Sequence, residues 1–378
     1  MRYTSIMDPA RNVAIVLSGG GMNGVLMELG FLRRVRESEL WPRVGWIFGT
    51  SAGALAGSMA ALDRLDDLEE FLLALRADET FRPNRLWRLP LLGLHDYRLP
   101  ETVAARLDEP IEIGRALAEA PIELVVLATD LTDSHEGFDD YELAYSSRQT
   151  PPELMAQAVF ASAAISALVL PLKVGDRIAT DGSWVRNFPL GYAYDHPEVE
   201  LIVAFRYVAR YPKLNAEGLA TMRRRLERFR RVPPLRAFIA ELQSAEERAE
   251  RGEPAHLAET IVRLARVAIM RNTQLEESRA DERDLELHEL ASLRQDVVAL
   301  ARTRDYALAD ALDERFAAAQ FPFRADRIVP RITVRGSAED ISLEPGFRTS
   351  QPWGVEDKRR LILRGWALTD EELRGAGL

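Results

Sequence analysis

Cysteine is absent from all 378 residues. That excludes disulfides, thiol nucleophiles and thiolate metal sites, and the cytoplasm is the expected location. Lysine is scarce too: only Lys173, Lys213 and Lys358 stand among 49 basic residues. Nearly every cation is therefore arginine, a bias that codon usage accounts for, so arginine abundance alone says little about guanidinium chemistry. Excess positive charge is also missing. A net charge of -10 argues against nucleic acid as a main partner, because phosphate binding needs a concentrated basic surface. Long apolar runs are lacking as well. Phe160 to Leu172 is the longest, broken by Ser162, Ser166 and Pro171, and it falls short of the roughly 20 residues that cross a bilayer. Met1 to Asn12 is polar and carries no signal-peptide core. No internal repeat or low-complexity tract occurs.

What is present has a globular balance, 47% hydrophobic with 29% charged, in a chain long enough to bury a large core. Val13–Leu17 and Val44–Phe48 are short, wholly apolar runs, as strands buried on both faces read. Ile122–Ala128 and Leu201–Phe205 read the same way. The first strand runs into Ser18-Gly19-Gly20-Gly21-Met22-Asn23-Gly24, after which Val25, Leu29 and Leu32 repeat at helical spacing. A glycine loop between a strand and a helix N-terminus presents unpaired N–H groups to whatever occupies the turn. It can hold an anion, or simply make a tight turn. A P-loop reading fails because Asn23-Gly24-Val25 supplies no Gly-Lys-Ser/Thr. A dinucleotide reading survives as Gly19-x-Gly21-x-x-Gly24.

The second strand ends in Gly49-Thr50-Ser51-Ala52-Gly53, which fits G-x-S-x-G, a serine on a sharp strand-to-helix turn. Parallel neighbouring strands would bring this turn and the glycine loop to one edge of the sheet. Asp63–Ala77 reads as an acidic amphipathic surface helix. Phe81–Pro100, with Trp87 and Tyr97, reads as an irregular apolar loop, and Asp130-Leu131-Thr132-Asp133 as a strand's exit turn. Met155–Ala167 is expected to be helical and Val169–Gly175 extended. Arg177–Thr180 is a short strand delivering Asp181-Gly182-Ser183, where the glycine permits a turn that leaves the carboxylate at the strand terminus.

From Asn215 to Gln320 the sequence is charged and helical, broken at Pro233-Pro234 and Gly252-Glu253-Pro254. Thr221–Arg231 holds six arginines, with Leu219, Met222, Leu226 and Phe229 along one face. Such a helix suits an anionic membrane surface, or packs on the core with its arginines solvated. Ile332–Val334 and the tail containing Trp366 read as a last strand and helix. The organisation expected is a core over 11–210, a mostly helical insert or cap over 211–325, and a segment over 326–378 returning to the core. The fold class is α/β, a parallel-rich sheet with helices on both faces.

The glycine loop, the Ser51 turn, Ala161-Ser162-Ala163-Ala164, and Asp181-Gly182-Ser183 with Asn187-Phe188-Pro189 stand in an order that resembles the patatin-like phospholipase family. The likeness is good over about residues 11–210. It implies a three-layer α/β/α fold, hydrolysis of acyl esters of lipids, and a Ser-Asp dyad without histidine. By that likeness Ser51 is the nucleophile and Asp181 the base. The oxyanion site comes from Gly19, Gly20, Gly21 and Ala52, with Gly24, Gly49, Gly53 and Gly182 supporting the motifs. No cofactor or metal is implied; a lipid or other acyl ester is the partner, with peripheral membrane contact compatible. Two positions depart from the family pattern: Asn23 stands where Arg or Lys is usual, and Ser183 where Gly or Ala is usual. Two other readings stand beside this one. A Ser-His-acid α/β-hydrolase would have to draw on His196, His256 or His288. A lipid-binding or regulatory protein would keep the fold without the chemistry.

Overall fold

The computed structural model describes residues 11–84, 95–132, 141–165, 169–208, 220, 223–224, 227, 233–251, 257–319, 328–338 and 354–378. Trp87, Asp133, His256, the Gly252-Glu253-Pro254 break and most of the Thr221–Arg231 run lie outside them. The chain forms two compact units, Met1–Val208 with Ile269–Leu378, and Ala209–Ala268.

In the larger unit the strands are β1 (Val13–Leu17), β2 (Val44–Thr50), β3 (Phe81–Pro83), β4 (His95–Tyr97) and β5 (Glu123–Asp130). They continue as β6 (Glu142–Ser146), β7 (Leu172–Val174), β8 (Arg177–Asp181), β9 (Leu201–Tyr207) and β10 (Arg331–Gly336). Eight of these described strands make one sheet in the order β10-β9-β1-β2-β5-β8-β7, with β6 also on β5. From β10 to β5 all pairs are parallel. β6, β7 and β8 join antiparallel, so the sheet is mixed but parallel at its centre.

The helices before the second unit are α1 (Gly21–Arg36), α2 (Ala52–Ala61), α3 (Leu65–Ala74), α4 (Ala77–Thr80), α5 (Leu99–Arg106), α6 (Pro110–Glu119), α7 (Pro152–Ser162) and α8 (Leu190–Asp195). After them come α9 (Pro233–Glu250), α10 (Leu257–Arg302), α11 (Tyr306–Ala317) and α12 (Val355–Gly375). Because side chains alternate across a strand, Ala14, Val16, Trp46, Phe48, Val125 and Leu127 share one sheet face. They pack against Leu190 and Ala193 of α8 and Ala280 of α10. The opposite face meets α1 and α2: Phe31 lies on Phe205, and Gly57 lets α2 come down close to Ile47 and Leu124. This is the three-layer arrangement expected from apolar runs alternating with helical periods.

Several elements differ from the sequence reading. α1 starts four residues earlier than Val25, at Gly21 inside the glycine loop. Asp130 belongs to β5, and its Oδ1 accepts from the Thr132 N–H as the chain leaves the strand. The described ends of Phe81–Pro100 hold the short antiparallel pair β3–β4, and 85–94 between them lie outside the described residues. The 63–77 helix is α3, and its apolar face, with Leu68, Phe71 and Leu72, lines a cavity. Pro233-Pro234 opens α9, as prolines suit the first helical turn, where no N–H bond is lost. α12 lies along α1, bound by the Arg34–Asp370 ion pair at 2.8 Å. Its buried Lys358 donates to the carbonyls of Leu72, Leu73 and Leu75 at the end of α3. Burial pushes that amine down to about 8.

Candidate active site

The parallel register sets Leu17 of β1 beside Gly49 of β2, so the chain reversals that follow both strands are neighbours. Ser51 occupies the second reversal with φ 55° and ψ -117°, a left-handed conformation for a residue with a side chain. Such a backbone costs on the order of 1–3 kcal/mol and holds only where the surroundings over-determine it. Here they do. A Cβ at Gly49 would lie 2.5 Å from the Gly53 carbonyl oxygen, and one at Gly53 would lie 2.6 Å from Leu17 Cβ. Only glycine at both positions lets α2 turn back this tightly over β1 and β2. The Ser51 N–H donates to Ser162 Oγ at 2.8 Å, and Ser162 Oγ donates to the Leu127 carbonyl at 2.6 Å, tying the turn to α7 and β5.

The Ser51 hydroxyl donates to Asp181 Oδ2 at 2.6 Å. Register explains the meeting: Thr50 pairs with Leu127 on β5, and Asp181 pairs with the next residue, Ala128. Since β8 runs antiparallel to β5, the carboxylate arrives from the opposite direction to the two loops. Gly182 makes room, for a Cβ there would lie 2.3 Å from the Leu127 carbonyl oxygen. Asp181 is 1% exposed and Ser51 4%. Burial raises the Asp181 carboxyl above its ordinary range, opposed by hydrogen bonds from the Ser183 and Ser51 hydroxyls and the Ser183 N–H. The Ser183 N–H bond to Oδ1 is 2.8 Å.

Gly21 adopts φ +57°, the left-handed turn that admits glycine readily, and begins α1. Among the described residues no acceptor faces the Gly20 or Gly21 N–H. Gly19 differs from the expectation that it joins these donors. Its N–H bonds to the Asn187 carbonyl at 3.0 Å, and a Cβ there would meet Asn187 Oδ1 at 2.3 Å, so its part is close packing. Gly24 is not sterically obliged, as a Cβ would rest 3.5 Å from Ala52 Cβ. Asn23 is buried, and its Nδ2 donates to the Tyr207 hydroxyl at 3.2 Å.

Ser51, Ala52 and Gly21 line one wall of a cavity with about 1040 Å³ of empty space, its open mouth included. Val25, Leu55, Met59, Phe71, Val159 and Phe160 are typical of the rest, and among the described residues no charged side chain lines it. Two of its polar groups are bonded to backbone: Ser58 Oγ donates to the Leu55 carbonyl and Tyr97 Oη to the Phe160 carbonyl. Burial first, then the Asp181 charge, raises the Tyr97 phenol.

Neither described histidine beyond Asp181 comes to this point. His196 packs against Trp46, five residues before Ser51, with ring centroids 4.2 Å apart and planes tilted by 44°, and His288 Nδ1 meets the Asp284 carbonyl on exposed α10. Among the described residues no group of three His, Asp or Glu converges as metal ligands would, and no helix is long and apolar enough to cross a membrane. Ser162 stands in a motif already noted in the sequence, but its bond to the Ser51 N–H and the approach of Tyr97 to the cavity come only from tertiary packing.

Fold and site define a three-layer α/β protein whose serine elbow and buried aspartate open on an apolar cavity. Residues 15–194 match the family model described as patatin-like phospholipase. Among solved structures the chain is similar to VipD from Legionella pneumophila, with 15% identity and a TM-score of 0.42, over 98% of this chain and 68% of that one. It is also similar to the structure of full-length ExoU with full-length SpcU from the type III secretion system of Pseudomonas aeruginosa. There the identity is 16% and the TM-score 0.31, over 83% of this chain and 69% of the other. No curated protein matches it.

Proposed function

We propose that the chain is a serine acyl hydrolase that cleaves acyl esters of lipids through an acyl-Ser51 intermediate, with Asp181 as the base. The observation that carries this reading is the 2.6 Å bond from the Ser51 hydroxyl to Asp181 at the wall of a cavity whose described lining is apolar. The apolar side chains that line the cavity among the described residues suit an acyl chain.

In this reading Asp181 takes the Ser51 proton as Oγ bonds to the ester carbon and the carbonyl π electrons move onto its oxygen. Collapse of the tetrahedral intermediate expels the alcohol, which leaves with the proton held by Asp181. Water then repeats the sequence: its proton goes to Asp181, its oxygen bonds to the acyl carbon, and Ser51 departs with the proton as the fatty acid forms. An ordinary aspartate, with pKa about 3.9, is a weak base for a hydroxyl. Burial raises it in the useful direction. The larger contribution comes from donors aimed at the oxyanion, where losing one typically costs about 100- to 1000-fold. Gly20, Gly21 and Ala52 carry that role here, because the N–H groups of Ser51 and Gly19 are already engaged. The N-terminal ends of α1 and α2 add their dipoles.

The test is hydrolysis of p-nitrophenyl esters by the full chain and by Ser51→Ala, with mapping of a fluorophosphonate adduct. Loss of turnover in the variant and an adduct on Ser51 are expected. Equal turnover in both proteins would refute the assignment.

A further inference from the structure

We infer that Thr273, on α10 and remote in sequence from every motif above, is a positioning residue that holds the oxyanion loop through Asn187. The inference rests on the serine hydrolase reading for its kinetic consequence, but its geometry stands independently. Thr273 Oγ1 donates to the Ile269 carbonyl one turn earlier at 2.9 Å. With its proton so directed, its lone pair accepts the Asn187 Nδ2–H at 2.7 Å. Asn187 in turn accepts the Gly19 N–H on its backbone carbonyl, while its Oδ1 sits against the Gly19 Cα. Thr273 and Asn187 are both buried, so no water competes for these groups.

Two neighbours on the same helix reinforce the hold. Asn272 Nδ2 donates to the Trp184 carbonyl, and Glu276 accepts from Arg186 Nη1 at 2.8 Å. The Arg186 carbonyl accepts the Thr50 hydroxyl at 2.9 Å. Residues 184–187 thus touch the loop after β1 and the residue before Ser51, and one turn of α10 grips them from behind. Without the Thr273 acceptor, the Asn187 amide has a buried proton and no partner, and the cheapest relief is a shift of the 184–187 segment. That shift moves Gly19, and with it the Gly20 and Gly21 N–H groups.

Thr273→Val keeps the shape and removes the acceptor; Thr273→Ser restores it. Two readouts are compared: kcat and KM on a p-nitrophenyl ester, and amide hydrogen exchange of the peptide containing Gly19. In Thr273→Val kcat should fall about 10- to 100-fold, the scale of a misplaced donor, with KM within about two-fold. Exchange at Gly19 should quicken about tenfold while the β2 and β5 amides hold their protection. Thr273→Ser should match wild type in both. Should the valine variant not fold, Thr273→Ala removes the same acceptor and is read in the same way. Unchanged Gly19 exchange, or a serine variant as impaired as the valine one, would overturn the inference. If wild type neither turns over ester nor takes the fluorophosphonate, the hydrolase reading fails by itself, and the exchange measurement still decides whether Thr273 holds the loop.

Discussion

Ser51 and Asp181 are 130 residues apart in the chain and 2.6 Å apart in space, joined by the successive pairing of β2, β5 and β8. The carboxylate is costly to keep there. Burial raises it above its ordinary 3.8, so between 3.8 and the raised value the native state binds more protons than the unfolded chain. Stability then falls as pH rises through that window and stays depressed above it. Asp181→Asn should therefore abolish ester hydrolysis yet unfold at higher urea than wild type at pH 7, with the gap closing below pH 3.8. The wild-type kcat/KM should fall on the acid side at a pH above the ordinary aspartate range. An inactive variant that is no more stable at pH 7 would show that burial is not straining this carboxylate.

The glycines of the two loops are not equivalent, and alanine substitution separates them. A methyl on Gly53 would press into Leu17, at 2.6 Å from its Cβ and 2.7 Å from its carbonyl oxygen. Backbone cannot yield as a side-chain end can, so Gly53→Ala should lose about 1–3 kcal/mol and displace the elbow. Gly24 lies within α1, where its added methyl would be in ordinary contact at 3.5 Å. Gly24→Ala should be neutral or gain up to about 1 kcal/mol from helix propensity. Urea unfolding of the two variants checks the contrast; equal losses would mean that the close approach at Gly53 is not what selects glycine.

The sheet centre and the serine turn were legible in sequence because strands buried on both faces leave unbroken apolar runs, and glycines mark the reversals. The same logic found Asp181 at a strand end but not its direction, since antiparallel pairing of β8 is set by partners on β5 that local pattern does not encode. β6 escaped for a related reason. Glu142-Leu-Ala-Tyr-Ser is half-buried at four of five positions, with neither continuous apolarity nor clean alternation. Gly19 illustrates the limit at the level of one atom. Its place in the loop was plain, yet whether its N–H faced the site depended on Asn187, far along the chain, and Thr273 beyond that had no sequence signal at all.

The cavity makes a prediction about chain length. Ala156 of α7 is buried and lines its wall, so a larger side chain there would take up empty space. Ala156→Phe should leave a butyryl ester almost untouched and depress kcat/KM for a dodecanoyl ester by about tenfold or more, because each methylene kept out forfeits about 0.8 kcal/mol of burial. A series of p-nitrophenyl esters of increasing length measures it. A uniform loss across the series would place the acyl chain elsewhere.

Glu28 carries the last prediction. It lies in α1 with no exposure, and neither carboxyl oxygen has a partner among the described residues. An ionised carboxylate in such a place would be prohibitive. Burial accordingly raises Glu28 well above 4.5, and the native state keeps its proton where the unfolded chain has lost it. Folding thus takes up a proton, and the contribution of this residue to stability declines as pH climbs from 4.5 towards the raised value. Glu28→Gln presents nearly the same shape without the titration. It should be more stable than wild type at pH 7 and indistinguishable below about pH 4, where both states hold the proton. Ester hydrolysis should be retained, since the side chain is absent from the cavity wall. Urea midpoints across pH 4 to 8 give the comparison, and a glutamine variant less stable than wild type at pH 7 would mean that Glu28 is ionised and paired in the native protein.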